Sequence, residues 1–185
     1  MPAIFNAYVG LGSNLGDRAG HLLVAVRGLL DAGLRVTRLS SVYETEPVGV
    51  TTEQPFFLNM VAELALAAAP PAPPSPEQLL ARLLRIEYQL GRRREQPLAP
   101  RTIDLDLLLY GDARSDTEYL TLPHPRLHLR RFVLAPLCEL APSSLHPTLG
   151  KSFKTLLSEL VDDANVERWS PAGAPVDASA SEILD

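Results

Sequence analysis

The sequence predicts an α+β sandwich, an antiparallel sheet with helices packed on it. Three observations predict it. Short apolar runs and segments of helical spacing follow one another as strand, helix, strand, strand, helix, strand. Glycine, proline and asparagine punctuate the changes. The 185 residues, 46% hydrophobic and 21% charged, suit one globular domain rather than two.

The elements follow in order. Ala7 to Leu11 is apolar and reads as a buried strand, with Gly12 and Asn14 expected to make a tight turn beside a ligand. Asp17 caps a helix in which Leu22, Leu23, Val26, Leu29 and Leu30 recur at helical spacing, and Gly33 stops it. Leu34 to Tyr43 alternates apolar and polar residues as one strand with a solvated face. Thr45 to Pro55 is a loop, and Phe57 to Leu66 a further strand. Residues 67–76, nearly all alanine and proline, form a stiff connection inside the domain. Ser75 caps a helix whose apolar face runs from Leu79 to Leu90, with Gly91 at its end. Ile103 to Tyr110 is a strong strand, and Leu120 to Leu122 a short one. Arg131 to Leu140 and Phe153 to Val161 are helical. This is the split β-α-β order of a ferredoxin-like sandwich. The domain is expected over 1–167, and 168–185, rich in Ala, Ser, Pro and Asp, as a disordered tail.

A formal net charge of -5 argues against a general nucleic-acid binder. Cys138 is the single cysteine, so no internal disulfide forms, which fits a reducing cytoplasm. Met1 to Tyr8 lacks the pattern of a signal peptide, and no apolar stretch is long enough to span a bilayer. Neither nucleic acid nor a membrane is therefore expected as a partner. A monomer is compatible with the sequence.

The sharpest chemical signal is Pro100-Arg101-Thr102-Ile103-Asp104-Leu105-Asp106-Leu107. Residues two apart on a strand share a face, so Asp104 and Asp106 aim two carboxylates at one volume. Such a pair repels itself unless a cation lies between, and hard oxygen ligands suit Mg²⁺. The bland alternative is a solvated strand face, but the surrounding leucines indicate a buried strand, where paired acids need a reason. Arg92, Arg93, Arg94 and Arg101 bring guanidinium forks that match phosphate oxygens, although cations at a helix C-terminus would account for one or two of them. His124, between Pro123 and Pro125, serves equally as a phosphate donor or as a structural turn residue. A zinc pair with His128 lacks further ligands. Gly10, Gly12 and Gly16 have the wrong spacing for a dinucleotide fingerprint, and no P-loop occurs. Phe57 and Phe132 could stack a flat ring or be plain core.

Taken together, Val9 to Gly16, Ser41 to Gly49, Gln54 to Asn59, Ile86-Glu87, Gly91 to Arg94, Pro100 to Asp106, and Pro123-His124 through Arg130-Arg131-Phe132 resemble the 6-hydroxymethyl-7,8-dihydropterin pyrophosphokinases of folate biosynthesis. The pieces run in family order from about residue 4 to about residue 163. The resemblance implies a ferredoxin-like fold, small-molecule partners (ATP as cosubstrate and a hydroxymethyl-dihydropterin), two Mg²⁺ ions and AMP as product. Asp104 and Asp106 match the metal ligands, and Arg92 and Arg94 join them as catalytic residues. Glu87, Arg92, Arg101, Leu107, Thr121, His124 and Arg130 match the ATP site. Thr45, Val48, Phe57, Asn59, Asp104 and Phe132 match the pterin pocket. The loop from Arg94 to Arg101 is shorter than in some relatives, with Leu98 in place of their tryptophan. Leu84 and Tyr119 stand where some relatives have polar nucleotide contacts. From the residues alone two rivals remain, a nucleotidyltransferase with a Gly-Ser turn and a non-catalytic ferredoxin-like binding module. Gly12-Ser13 lies far upstream of Asp104, which counts against the first.

Overall fold

The structure, a computed structural model, describes residues 4–49, 53–67, 72–92, 99–162 and 164–171. Its centre is β1 (Ile4–Ser13), paired antiparallel with β4 (Phe57–Ala67) on one side and β5 (Asp104–Tyr110) on the other. Beyond β4 lie β2 (Val36–Leu39), β3 (Tyr43–Thr45) and, outermost, β8 (Val166–Arg168). A separate small ribbon joins β6 (Ser115–Asp116) to β7 (Thr121–Leu122). The order β5-β1-β4-β3 with intervening helices is the expected ferredoxin-like sandwich.

Strand periodicity divides the sheet into two faces. Ala7, Val9 and Leu11 of β1, Leu58, Met60, Ala62 and Leu64 of β4, and Leu105 and Leu107 of β5 turn to one core. Two helices seal it. In α1 (Arg18–Asp31), Asp17 Oδ1 accepts the Gly20 N–H at 3.0 Å, and Leu22, Ala25 and Leu29 are buried. In α2 (Pro76–Gln89), Ser75 and Gln78 form a reciprocal capping box, and Leu79, Leu83 and Ile86 are buried. Each fully buried leucine contributes about 1.5–3 kcal/mol. Tyr8, Val61 and Leu109 turn the other way, under α3 (Arg131–Leu140) and α4 (Phe153–Glu159). That second cover is partial, and the uncovered part of the face holds the site.

Three expectations are corrected. The strand expected over 34–43 is broken at Ser40. Its hydroxyl accepts the Val61 N–H at 2.9 Å, and its own N–H goes to the Val61 carbonyl at 2.9 Å. A side chain thus stands in for one ladder bond and separates β2 from β3. Gly12 is not in a turn but inside β1. The tail boundary at 168 falls too early. Arg168 ends β8 and pairs with Glu139 at 2.8 Å, and the Trp169 N–H bonds Val42 O at 2.8 Å while its ring packs on the first core. A large indole and a charge pair hold the chain there, against its polar composition. Residues 68–71 of the Ala/Pro connection and 172–185 of the tail lie outside the described residues. Among the described residues no helix is long and apolar enough to cross a membrane.

Candidate active site

On the partly covered face, β1 presents Gly10 and Gly12. Asp106 and Asp104 of β5 stand opposite them on one side, and Val61 and Asn59 of β4 on the other. Two missing side chains leave a trough across the middle of the sheet, with carboxylates on one bank and an amide on the other. The trough is part of a cavity of about 250 Å³. At Gly12 the approach is tight, since a Cβ there would sit 2.7 Å from Asn59 Oδ1. Asn59 is nearly buried, and its Nδ2 donates to Thr45 Oγ1 at 2.7 Å. Phe57, Phe132 and Val48 complete an apolar and amide-lined pocket at this end.

Cations gather around the acids and the rings. Gly91, at φ +83°, closes α2: its N–H bonds Tyr88 O at 3.1 Å, and the Arg92 N–H bonds Glu87 O at 3.0 Å. That turn aims the Arg92 guanidinium between Glu87 and Asp104, and it bonds both. Glu87 is buried below the cavity and also takes the Leu105 N–H at 2.8 Å, satisfying the outer edge of β5. Arg101 Nη1 donates to Asp104 Oδ2 at 2.6 Å, and its guanidinium lies over the Phe57 ring. Arg130 lies 5.3 Å from the centre of the Phe132 ring. With Arg126, four arginines face Glu46, Asp104 and Asp106 around the cavity.

Burial and a neighbouring charge act on Asp106. Asp106 is pushed up to about 6, first by burial and then by the Asp104 charge, with Arg130 and Arg92 opposing. A carboxylate so penalised favours a cation beside it. Among the described residues no group of three or more His, Cys, Asp or Glu gathers elsewhere or here. Two hard carboxylates without further protein ligands fit Mg²⁺, which completes its shell with water and phosphate, and do not fit a closed structural metal site. His124 is pulled down to about 4, by burial first and then by Arg130 and Arg126, so its ring is neutral near pH 7. Its Nδ1 accepts the Arg126 N–H at 3.2 Å. The ring proton therefore sits on Nε2, which makes His124 a hydrogen-bond donor rather than a base.

Of the residues expected from sequence, Thr45, Val48, Phe57, Asn59, Arg92, Arg101, Asp104, Asp106, His124, Arg130 and Phe132 line this one cavity. The Leu107 side chain points to the opposite face, into the core under the helices, because it follows Asp106 by one residue on a strand, so only its backbone is left to the site. Glu87 supports the cavity without lining it. Thr121, on β7, and Leu84 and Tyr119, both exposed, are not among the lining residues. Arg94 and Leu98 lie outside the described residues. The sequence reading missed Glu46 and Arg126. Both had a usable signal: Arg126 shares the His124-Pro125-Arg126 run with the histidine, and Glu46 stands between Thr45 and Val48 in the Ser41 to Gly49 segment.

A ferredoxin-like sheet with an acid pair, arginine forks and an apolar, amide-lined pocket in one trough suits a phosphoryl-group transferase. Residues 8–142 match the family model described as 7,8-dihydro-6-hydroxymethylpterin-pyrophosphokinase. A 2-amino-4-hydroxy-6-hydroxymethyldihydropteridine pyrophosphokinase of Bacillus subtilis is 47% identical over 135 residues, covering 72% of this chain and 77% of the relative. One of Methylorubrum extorquens is 42% identical over 163 residues, covering 88% and 97%. The chain therefore belongs to the 7,8-dihydro-6-hydroxymethylpterin-pyrophosphokinase family. A solved Plasmodium falciparum HPPK-DHPS with pterin and p-hydroxybenzoate superposes with TM-score 0.63 at 16% identity. That match covers 85% of this chain and 43% of the solved one, and it supports the fold.

Proposed function

We infer that this cavity carries out the pyrophosphokinase step of folate biosynthesis, moving a pyrophosphoryl group from ATP to 6-hydroxymethyl-7,8-dihydropterin. One observation carries the reading. The acid pair faces Asn59 across Gly10 and Gly12 in a single trough that arginines also line, where a polyphosphate and a flat polar ring would meet.

The residues divide the work. Phe57, Phe132 and Val48 take the pterin ring, and Asn59, held by Thr45, reads its edge. Arg101, Arg130 and the His124 Nε2–H take phosphate oxygens. Asp104 and Asp106 would hold magnesium, two ions on this reading, whose chemistry is to neutralise phosphate oxygens and align the chain of phosphates. The hydroxymethyl oxygen attacks the β-phosphorus, and its proton passes to an Asp104 carboxylate oxygen and on to water. The bond from that phosphorus to the oxygen bridging the α-phosphate breaks, and AMP leaves. Arg92, placed by Glu87, and Arg94 meet the charge that develops on the transferred and leaving groups.

An AMP-release assay, with and without hydroxymethyl-dihydropterin and with EDTA, tests this. AMP should form only with both pterin and Mg²⁺ present. Release of pyrophosphate instead of AMP, or ATP turnover that survives both Asp104→Ala and Asp106→Ala, would refute the reading.

A further inference from the structure

Asn14 does not line the cavity, yet it is 1% exposed and makes four polar contacts that converge on it. Its backbone N–H donates to Arg101 O at 3.1 Å, and its Oδ1 accepts the Arg101 N–H at 2.7 Å. Its Nδ2 donates to Gln54 Oε1 at 3.3 Å and to Pro55 O at 3.4 Å. The amide orientation follows from this pattern, because Oδ1 meets a donor and Nδ2 meets two acceptors. One side chain thus ties the end of β1 to the residue that grips Asp104 and to the segment leading into Phe57.

We propose that Asn14 is a positioning residue: it sets Arg101 against Asp104 on the phosphate side and the 54–55 segment ahead of Phe57 on the ring side. The proposal rests on the reading of Arg101 as a phosphate contact. The residue type is demanded by the contacts. Only a planar amide offers one acceptor and two donors in this arrangement. Leaving the part-buried Arg101 N–H without its acceptor costs more than a surface bond would, so Arg101 shifts to find water. An aspartate keeps the acceptor for Arg101 but turns a second carboxylate oxygen toward the Pro55 carbonyl, where it repels. Asn14→Asp therefore cuts the ring-side tie alone, and Asn14→Ala cuts both.

The test is calorimetric binding of Mg²⁺ with α,β-methylene-ATP, and separately of hydroxymethyl-dihydropterin, to wild type, N14A, N14D, R101A and N14A/R101A. We expect N14A to weaken nucleotide-analogue binding about tenfold, a loss that disappears in the R101A background. We expect N14D to keep analogue binding within about threefold of wild type and to weaken pterin binding by more than that. Full additivity of N14A and R101A overturns the proposal, as does a lower melting temperature with both affinities unchanged. If N14A does not fold, N14D decides: equal losses for both ligands, or none, overturn it. Normal analogue binding by R101A would overturn the site reading together with this proposal, whereas weak binding by R101A beside normal binding by N14A overturns the proposal alone.

Discussion

The guanidinium of Arg101 lies 5.6 Å from the centre of the Phe57 ring. The same group donates to Asp104 Oδ2 at 2.6 Å. One planar cation therefore touches both an acid of the phosphate side and an aromatic of the ring side. A lysine could hold Asp104 by a point charge, but it has no plane to lay on Phe57 and no second parallel donor. Arg101→Lys should lower kcat/KM by about tenfold or more, with KM rising for ATP and for the pterin together. Steady-state AMP release with each substrate varied in turn measures this. A rise in the ATP KM alone would mean that the contact with Phe57 is incidental.

The acid pair makes a metal prediction with a pH sign. Asp106, pushed up to about 6, binds a proton more readily than an ordinary carboxyl, and that proton competes with a cation for the same oxygens. Mg²⁺ affinity should weaken as pH falls through 6 and change little above 7. Asp106→Asn removes the proton-binding site along with the ligand. It should reduce turnover to about 1% or less and abolish the Mg²⁺-dependent rise in melting temperature seen with α,β-methylene-ATP. Thermal shift at pH 5.5 and 7.5 with graded Mg²⁺ tests both statements.

Gly12→Ala probes the other bank of the trough. The added Cβ would fall 2.7 Å from Asn59 Oδ1, closer than carbon and oxygen tolerate, and Asn59 is tied to Thr45 on β3. Asn59 must rotate or the strands must part. The pterin KM should rise at least about tenfold, while the ATP KM stays within about twofold of wild type. Equal effects on both substrates would indicate a general disturbance of β1 instead.

The sequence carried the strands and helices because their patterns are local. Leu79, Leu83 and Ile86 repeat at helical spacing, and Ser75 and Gln78 announce their own cap. The acid pair was also legible, since Asp104 and Asp106 share a face by strand geometry alone. The same alternation sends the side chain of Leu107, the next residue, into the core. The break at Ser40 and the capture of Trp169 depend on partners far along the chain, Val61 and Val42, so no local pattern shows them. The function of the glycines was hidden for a related reason. Gly12 looks like a turn residue in sequence, and only the register of Gly10 and Gly12 with Asp106, Asp104, Val61 and Asn59 shows that their missing side chains form the floor of a site.

His124 supplies a second pH prediction, for stability. Its folded value of about 4 lies below the free value of 6.5, because burial and the charges of Arg130 and Arg126 oppose the imidazolium. Between these limits the unfolded chain binds the proton and the folded one does not, so stability present above pH 6.5 is lost as pH falls toward 4. The loss should be about 1–3 kcal/mol, with the partial exposure of the ring favouring the lower part of that range. Asp106 acts with the opposite sign over much of the same window. Its folded value is raised, so the folded chain takes up that proton first and is stabilised as pH falls through 6. The two effects offset each other in wild type, and a single pH series would not separate them. His124→Gln removes the imidazole while keeping a donor, and Asp106→Asn removes the acid. Urea midpoints at pH 7 and 4.5 should show the His124→Gln protein losing less stability on acidification than wild type, and the Asp106→Asn protein losing more. Equal losses in all three would show that neither group is perturbed by the cavity.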